Sequence, residues 1–147
     1  MLLPLKNCLT IFPGACGILN NSLTSVQRSA RWSASCCNPV VAGPNTIVGD
    51  ILRYAGAINP VPPGTNNYPT WNMEALLRID PEVIIVSAHP GQPAPASVFD
   101  QWPQLQAMRE QRIIVTVADW IHRPGPRMIL GIEALAKALH PDIDVEN

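Results

Sequence analysis

The sequence predicts an α/β fold, in which a parallel sheet is sandwiched between helices. Residues 82–87 and 112–117 are nearly unbroken β-branched runs, which are typical of strands buried on both faces of a sheet. A weaker helical pattern over 96–109, interrupted by Trp102-Pro103, separates them. Two buried strands joined through a helix favour a right-handed, parallel unit. At 147 residues, the chain is long enough for one domain with its own core.

A first helix is expected over 47–55. Asn45 and Thr46 are cap-forming residues directly ahead of it, and Gly56 is suited to end it. The apolar residues of this stretch fall on one face, namely Ile47, Val48, Ile51, Leu52 and Ala55.

A loop and a second, shorter helix are expected next. Residues 59–69 are rich in Pro, Gly and Asn, which favour turns over regular structure. Asn72 is placed to cap a helix over 73–78, which Asp80-Pro81 closes. Glu74 lies in the first turn of that helix, where the helix dipole favours an anion.

The last helix is expected over 127–139, after a loop over 118–125. Pro124 and Pro126 precede it, and His140-Pro141 ends it. Its predicted apolar stripe consists of Ile129, Ile132, Leu135, Ala136 and Leu139.

The candidate binding residues follow from the predicted sheet. Ligands of open parallel sheets bind beside the loops at the carboxyl ends of the strands, which are here 87–95 and 118–125. The side chains in these loops that are suited to ligand contact are His89, Asp119, Trp120, His122 and Arg123. Packing or capping roles are the alternative for each of them.

The composition changes near residue 38. All four cysteines precede this point, whereas the first of the eleven acidic residues is Asp50. No helical or strand periodicity is evident before it. We therefore divide the chain into a poorly specified segment over 1–37 (out of frame or disordered), an α/β lobe over 38–141 and a tail over 142–147.

Several classes of protein are disfavoured. A net charge of -1 with ten dispersed basic residues argues against a nucleic-acid partner. The cysteine spacing fits no zinc site, and Asp119-x-x-His122 is too common a pattern to indicate one, so no metal site is expected. Because the chain has neither a Gly-x-Ser-x-Gly elbow nor a glycine-rich phosphate loop, we expect no catalytic residues and no enzyme.

No stretch of the sequence is apolar enough to predict a membrane-spanning helix. Residues 1–18 carry one early cation, Lys6, and an apolar character that is weakly similar to an export signal. Pro4 and Pro13 interrupt this stretch, so the chain's own export signal is expected to be weak.

Three stretches, taken in order, resemble one protein family. They are Ala42-Gly43-Pro44-Asn45-Thr46 with the following Gly49 to Asn59, Tyr68-Pro69 to Ile85, and Asp119-Trp120-Ile121-His122-Arg123-Pro124-Gly125-Pro126-Arg127. They are similar to the C-terminal lobe of the periplasmic substrate-binding proteins of ABC importers for cobalamin, haem and ferric siderophores. The last stretch most resembles the vitamin B12-binding members.

The resemblance implies a single lobe of a two-lobed binding protein, with the ligand clamped between the lobes and no intrinsic cofactor. Tyr68 takes the place of an aromatic residue that packs on the corrin ring. Asp119 and Arg123 match polar residues that line the cleft. Glu74 matches a surface glutamate that docks on the membrane permease.

The implied function is that of a partial substrate-binding component of an importer for cobalamin or a related corrinoid or iron chelate, with haem and ferric siderophores as alternatives. The implied location is periplasmic or otherwise extracytoplasmic. The rival function is an isolated or remnant lobe that acts as an interaction module, and a small α/β enzyme is the weakest alternative. A lobe without its partner is also expected to self-associate through its open cleft face.

The family's lobe begins with an apolar strand just before Asn38. Residues 31–37 occupy that place here and lack a strand pattern. The sequence therefore predicts a truncated gene, a displaced reading frame or a misassigned start.

Overall fold

The structure is a computed structural model that describes residues 6–12, 39–88, 99–100 and 102–141. Its elements, in chain order, are β1 (Lys6–Phe12), β2 (Val40–Val41), α1 (Ile47–Tyr54), β3 (Ala57–Ile58), α2 (Met73–Ile79), β4 (Val83–Ala88), α3 (Gln106–Arg109), β5 (Ile113–Val117), α4 (Ala118–His122) and α5 (Arg127–Leu139).

The strands form one mixed, mostly parallel sheet. The strand order is β2-β1-β4-β5, and β3 pairs with the first residues of β1. β4 lies parallel to both β1 and β5, whereas β2 is antiparallel to β1. The predicted α/β class and the parallel pairing of 82–87 with 112–117 are therefore confirmed.

β4 separates two hydrophobic cores because successive side chains of a strand point to opposite faces. Val83 and Ile85 pack with α1, α4 and α5 on one face. Ile84 and Val86 pack with Leu76 of α2 and with Leu105 and Ala107 at α3 on the other face. All four β4 side chains are at most 1% exposed, so burial on both faces is confirmed for this strand.

α1 begins and ends where the sequence predicts. The Thr46 hydroxyl accepts a hydrogen bond from the Gly49 amide at 3.0 Å and donates one to the Gly43 carbonyl at 2.8 Å. Gly56 follows the helix with a φ of 79°, a conformation that glycine adopts without steric cost. At α2, the Asn72 side chain accepts from the Ala75 amide at 2.8 Å, as expected for the predicted cap.

The lobe does not begin at residue 38, because β1 comes from the segment that the sequence analysis set apart. β1 lies between β2 and β4 inside the sheet, and Cys8, Thr10 and Ile11 are at most 3% exposed. Lys6, Asn7 and Thr10 dilute the apolar pattern of this short strand, which is why periodicity alone missed it. Residues 1–5, 13–38 and 142–147 lie outside the described residues.

β5 is less buried than its sequence predicts. Within the described ranges it pairs with β4 alone, so it forms an edge of the sheet. Val115 is 44% exposed, and Ile113 and Ile114 are partly buried. The β-branched run of 112–117 therefore marks a strand, but not one covered on both faces.

The helix expected over 96–109 is much shorter where it is described. Phe99 and Asp100 form a single 3₁₀ turn, and α3 spans four residues. Pro103 lies between the two and lacks the amide that a continuous helix requires. The Asp80 carboxylate accepts a hydrogen bond from the Gln106 amide at 2.7 Å and so takes over the capping of α3.

α5 has the predicted bounds, and its buried stripe is the predicted one except at its first position. Gly131, Leu135 and Leu139 are buried, whereas Ile129 is 59% exposed. The expectation that Ile129 belongs to the apolar stripe is therefore wrong. The rest of the predicted stripe is confirmed, because Leu135 and Leu139 lie in the core shared with α1 and α4, and Ile132 and Ala136 pack partly against it.

Replacing Ile11 of β1 by alanine is expected to lower the free energy of unfolding by about 2–4 kcal/mol, because it opens a cavity in the core on the α2 face of the sheet. Ile129→Ala is the matched control, and it is expected to change stability by less than about 0.5 kcal/mol because this side chain is exposed. Urea unfolding of both variants measures the difference. Equal, small effects would show that β1 is not part of the folded lobe.

Candidate functional site

The carboxyl edge of the sheet is where the candidate residues after β5 lie. Val117, the last residue of β5, is followed at once by α4, which carries Asp119, Trp120 and His122. The sequence analysis expected a loop over 118–125. The structure instead has a five-residue helix at the start of this stretch, and an irregular turn only from Arg123 onward.

α4 forms because one of its faces is covered. Ala118 and Ile121 are 1% and 0% exposed, and Ile121 belongs to the core shared with α1 and α5. Trp120 packs partly against the same core. The spacing of Ala118 and Ile121, three residues apart, is the sequence signal that identifies this helix.

Trp120 has the packing role that the sequence left open as the alternative to ligand contact. Its side chain helps to cover the core, yet the residue remains only partly buried at the carboxyl edge. An aromatic residue in this position is fixed by packing and keeps part of its surface for contact with a ligand.

Asp119 and Arg123 form an ion pair across one turn, with 3.7 Å between the Asp119 Oδ1 and Arg123 Nε atoms. Their side chains are 40% and 81% exposed, so the pair is open to solvent and contributes little to stability. Its geometry nevertheless places a carboxylate and a guanidinium side by side with no net charge. Such a pair offers both acceptors and donors to a ligand with amide groups.

Tyr68 lies at the opposite side of the sheet. The segment 67–71 runs antiparallel to 39–43, since the Gly43, Val41 and Trp71 amides donate to the Asn67, Pro69 and Pro39 carbonyls. Tyr68 is 48% exposed within this extended segment. The predicted loop over 59–69 therefore ends in a strand-like edge that is attached to β2.

The structure thus holds the candidate residues in two groups rather than one. The segment 67–71 is four strand spacings from β5, or about 19 Å at the usual separation of neighbouring strands. Tyr68 and the Asp119–Arg123 pair can contact a single ligand only if the ligand is wide. His89 lies outside the described residues.

Glu74 is exposed in the first turn of α2, with 78% of its side-chain surface accessible. Arg78 is one turn further on, and its Nη2 atom is 3.3 Å from the Glu74 Oε1 atom. Trp71 and Trp102 pack partly against the core beneath this helix.

The structure also indicates a positioning residue that the sequence analysis did not single out. A Cβ atom on Gly131 would lie 3.0 Å from the Trp120 carbonyl oxygen and 3.2 Å from the Trp120 Cβ atom. Glycine at this position lets α5 approach α4 closely and so fixes the height of Asp119 and Trp120 above the sheet. A glycine inside a helical pattern, which costs stability unless it is needed for packing, is the sequence signal for it.

The described residues contain no group of three or more His, Cys, Asp or Glu side chains placed to hold a metal ion. Over the same ranges, the helices are all too short or too polar to cross a bilayer.

Two relatives match most of the lobe in sequence. The chain is 34% identical over 101 residues to the vitamin B12-binding protein of Photorhabdus laumondii, covering 65% of this chain and 33% of that protein. It is 29% identical over 101 residues to the ABC transporter substrate-binding lipoprotein YvrC of Bacillus subtilis, covering 68% of this chain and 31% of that protein. The chain is thus related in sequence to the substrate-binding proteins of ABC importers.

Solved structures agree with this relationship. A periplasmic heme-binding protein from Pseudomonas aeruginosa is 25% identical, with a TM-score of 0.70 over 96% of this chain and 45% of that chain. The periplasmic vitamin B12-binding protein BtuF of Vibrio cholerae shares the fold, with 17% identity and a TM-score of 0.67 over 93% of this chain and 45% of that chain. No protein-family model matches the chain. The chain spans about a third of the length of the two curated relatives.

Gly131→Ala is expected to push α4 away from α5 and to lower the free energy of unfolding, because the contact with Trp120 outweighs the gain of about 1 kcal/mol in helix propensity. The near-ultraviolet circular dichroism of the tryptophans should change as well. Gly125→Ala is the control, since a Cβ atom there would meet nothing within 4 Å. A more stable Gly131→Ala variant with an unchanged spectrum would contradict the tight α4–α5 contact.

Proposed function

We propose that this chain is one ligand-contacting lobe, the C-terminal one, of an ABC-importer substrate-binding protein, and that its ligand is a corrinoid. The observation that carries the proposal is the Asp119–Arg123 pair at the carboxyl edge of the sheet. It lies where ligands of open α/β sheets bind, on a chain related to vitamin B12-binding proteins. Ligand capture, rather than catalysis, is also the role stated in the names of these relatives.

The charge of the site supports a ligand without strong net charge. Arg123 lies 3.7 Å from Asp119, so the two side chains together carry no net charge toward a ligand. A ferric siderophore or a haem carries anionic groups that would favour several uncompensated cations. A corrinoid is a broad disc with an amide-rich rim, and an acceptor and a donor held side by side suit such a rim.

The width of the site supports the same ligand class. The segment that bears Tyr68 lies about 19 Å from β5 across the sheet, and α4 follows β5 directly, so a ligand that contacts both sides has to be wide. A flat macrocycle can rest between two aromatic residues, Tyr68 and Trp120, while its rim contacts α4. Aromatic side chains supply large contact areas at low entropic cost.

A single lobe is expected to bind such a ligand weakly. The structural relatives are about twice as long as the part this chain matches. A disc that is clamped between two lobes gains contact area from both, and an isolated lobe supplies only one side. The affinity of this chain alone should therefore be orders of magnitude lower than that of a two-lobed protein.

Delivery to a membrane permease belongs to the same proposal. Glu74 is exposed at the start of α2, and its carboxylate is accessible to an arginine of another protein despite the nearby Arg78. The lobe would then work outside the cytoplasm, as the words periplasmic and lipoprotein in the relatives' names indicate for those proteins.

The ligand proposal is tested by titrating the purified chain with cyanocobalamin in a calorimeter. We expect a dissociation constant weaker than about 1 µM, because only one face of the disc is contacted. The double variant Asp119→Ala/Arg123→Ala should lose at least about tenfold in affinity, because it removes the polar contacts to the rim.

The matched control is Asp50→Ala/Arg53→Ala, which removes an equivalent exposed ion pair from α1, away from the site. Hemin serves as the competing ligand. Tighter binding of hemin than of cyanocobalamin would contradict the corrinoid assignment, and no binding of either would favour a lobe that acts only as an interaction module.

Docking is tested with a photo-activatable cross-linking residue at position 74, in cells that carry an importer for the ligand. A cross-link to a membrane-embedded permease subunit is expected, because Glu74 projects from the start of α2 into solvent. The same residue at position 100, which is also exposed, is the control. Equal capture at both positions would argue against a docking role for Glu74.

A further inference from the structure

The outward face of α5 is the most apolar exposed helix surface in the described part of the chain. Ile129 is 59% exposed and Leu130 is 50% exposed, on consecutive positions of the first turns. Ala134 and Ala138 continue the exposed face toward the end of the helix. Large aliphatic side chains beside small ones make a surface to which another helix can approach closely.

The same face carries two exposed charges that are solvated by water rather than paired within the described part of the lobe. Glu133 and Lys137 are exposed and one helical turn apart, yet neither takes part in the ion pairs formed between described residues. On α1, α2 and α4, by contrast, the exposed charges close pairs within the helix, namely Asp50–Arg53, Glu74–Arg78 and Asp119–Arg123.

The spacing of these residues makes the face complementary to itself. Leu130, Ala134 and Ala138 are four residues apart and form one ridge. Turning this ridge by a two-fold axis through Ala134 brings the large Leu130 opposite the small Ala138. Glu133 and Lys137 lie together on the adjacent ridge, so the same rotation brings opposite charges together.

We propose that a second copy of this chain packs on α5, with the two helices antiparallel about a two-fold axis near Ala134. Leu130 then covers the partner's Ala138. Glu133 pairs with the partner's Lys137, and Lys137 pairs with the partner's Glu133. The apolar pairs centre on Ala134 and the charge pairs on position 135, an offset of one helical rise, about 1.5 Å, which the flexible Glu133 and Lys137 side chains can span.

A second copy fits this face better than an unrelated partner because an isologous interface requires each patch to complement itself. The dimer should be weak. α5 has 13 residues and is about 20 Å long, so a single helix pair falls at the small end of specific interfaces. This contact is also distinct from self-association through the cleft face, which would bury Asp119 and Arg123 instead.

Sedimentation equilibrium on the full chain tests the proposal through charge reversal. Glu133→Lys alone sets lysines against lysines, and Lys137→Glu alone sets glutamates against glutamates. Each is expected to weaken the dimer by about tenfold or more. An equimolar mixture of the two variants should recover dimerisation as a heterodimer, because both charge pairs are re-formed between unlike chains.

The control variant is Asp100→Lys, which makes the same change in net charge as Glu133→Lys at an exposed position far from α5 in the sequence. It should leave the dimer unchanged. All these positions are exposed, so the variants should keep the far-ultraviolet circular dichroism of the parent.

The results that would overturn the proposal are equally specific. A chain that stays monomeric to millimolar concentration has no such interface. A dimer that neither single variant weakens, or that the mixture fails to restore, does not use Glu133 and Lys137. A dimer that dissolves on Asp119→Ala/Arg123→Ala, but not on the α5 variants, forms through the cleft face.

Discussion

The parallel pairing of β1 with β4 is the interaction on which the rest of the lobe depends. β4 supplies side chains to both cores, and β1 covers its inner edge from Cys8 to Ile11. β2 then attaches to β1, and the segment bearing Tyr68 attaches to β2. Among the described strands, the ladder from the Tyr68 side of the sheet to the α4 side runs through β1. Two candidate groups that lie far apart are held in one frame by a strand of seven residues.

The sequence predicted best where a single physical signal dominates. The unbroken β-branched run at β4 marked a doubly buried strand, and Thr46, Gly56 and Asn72 marked helix ends through capping chemistry. The sequence predicted the burial of a strand poorly, because burial depends on whether the strand lies at the centre or at the edge of the folded sheet. The run at β5 looks the same as that of β4 in sequence, but β5 lies at an edge, and nothing local distinguishes the two. β1 was missed because its polar residues weaken the apolar pattern, although pairing with β2 and β4 buries the strand.

In the candidate site, too, some features follow from the sequence and others only from the folded structure. That Asp119 and Arg123 lie at the carboxyl end of a strand followed from the α/β class alone. That they form a pair, on a helix fixed by Ile121 and by the close approach of Gly131, required the structure. Pairing matters chemically because it removes net charge from the site and leaves donors and acceptors. If Tyr68 belongs to the same site, its distance from β5 requires a wide ligand. The proposal of a corrinoid rather than an anionic iron chelate rests on these two constraints and not on any one residue.

The proposed corrinoid site is tested most directly by recording amide chemical shifts of the isotope-labelled chain as cyanocobalamin is added. We expect two separate groups of shifted resonances. One is at residues 118–123, in α4 and its following turn, and the other is at residues 67–71 on the far side of the sheet. Shifts confined to one of these groups would show that the ligand does not span the sheet. Shifts concentrated elsewhere would contradict the assignment of this lobe as a corrinoid-binding surface. So would the absence of shifts at cyanocobalamin concentrations well above those that a two-lobed protein needs for binding.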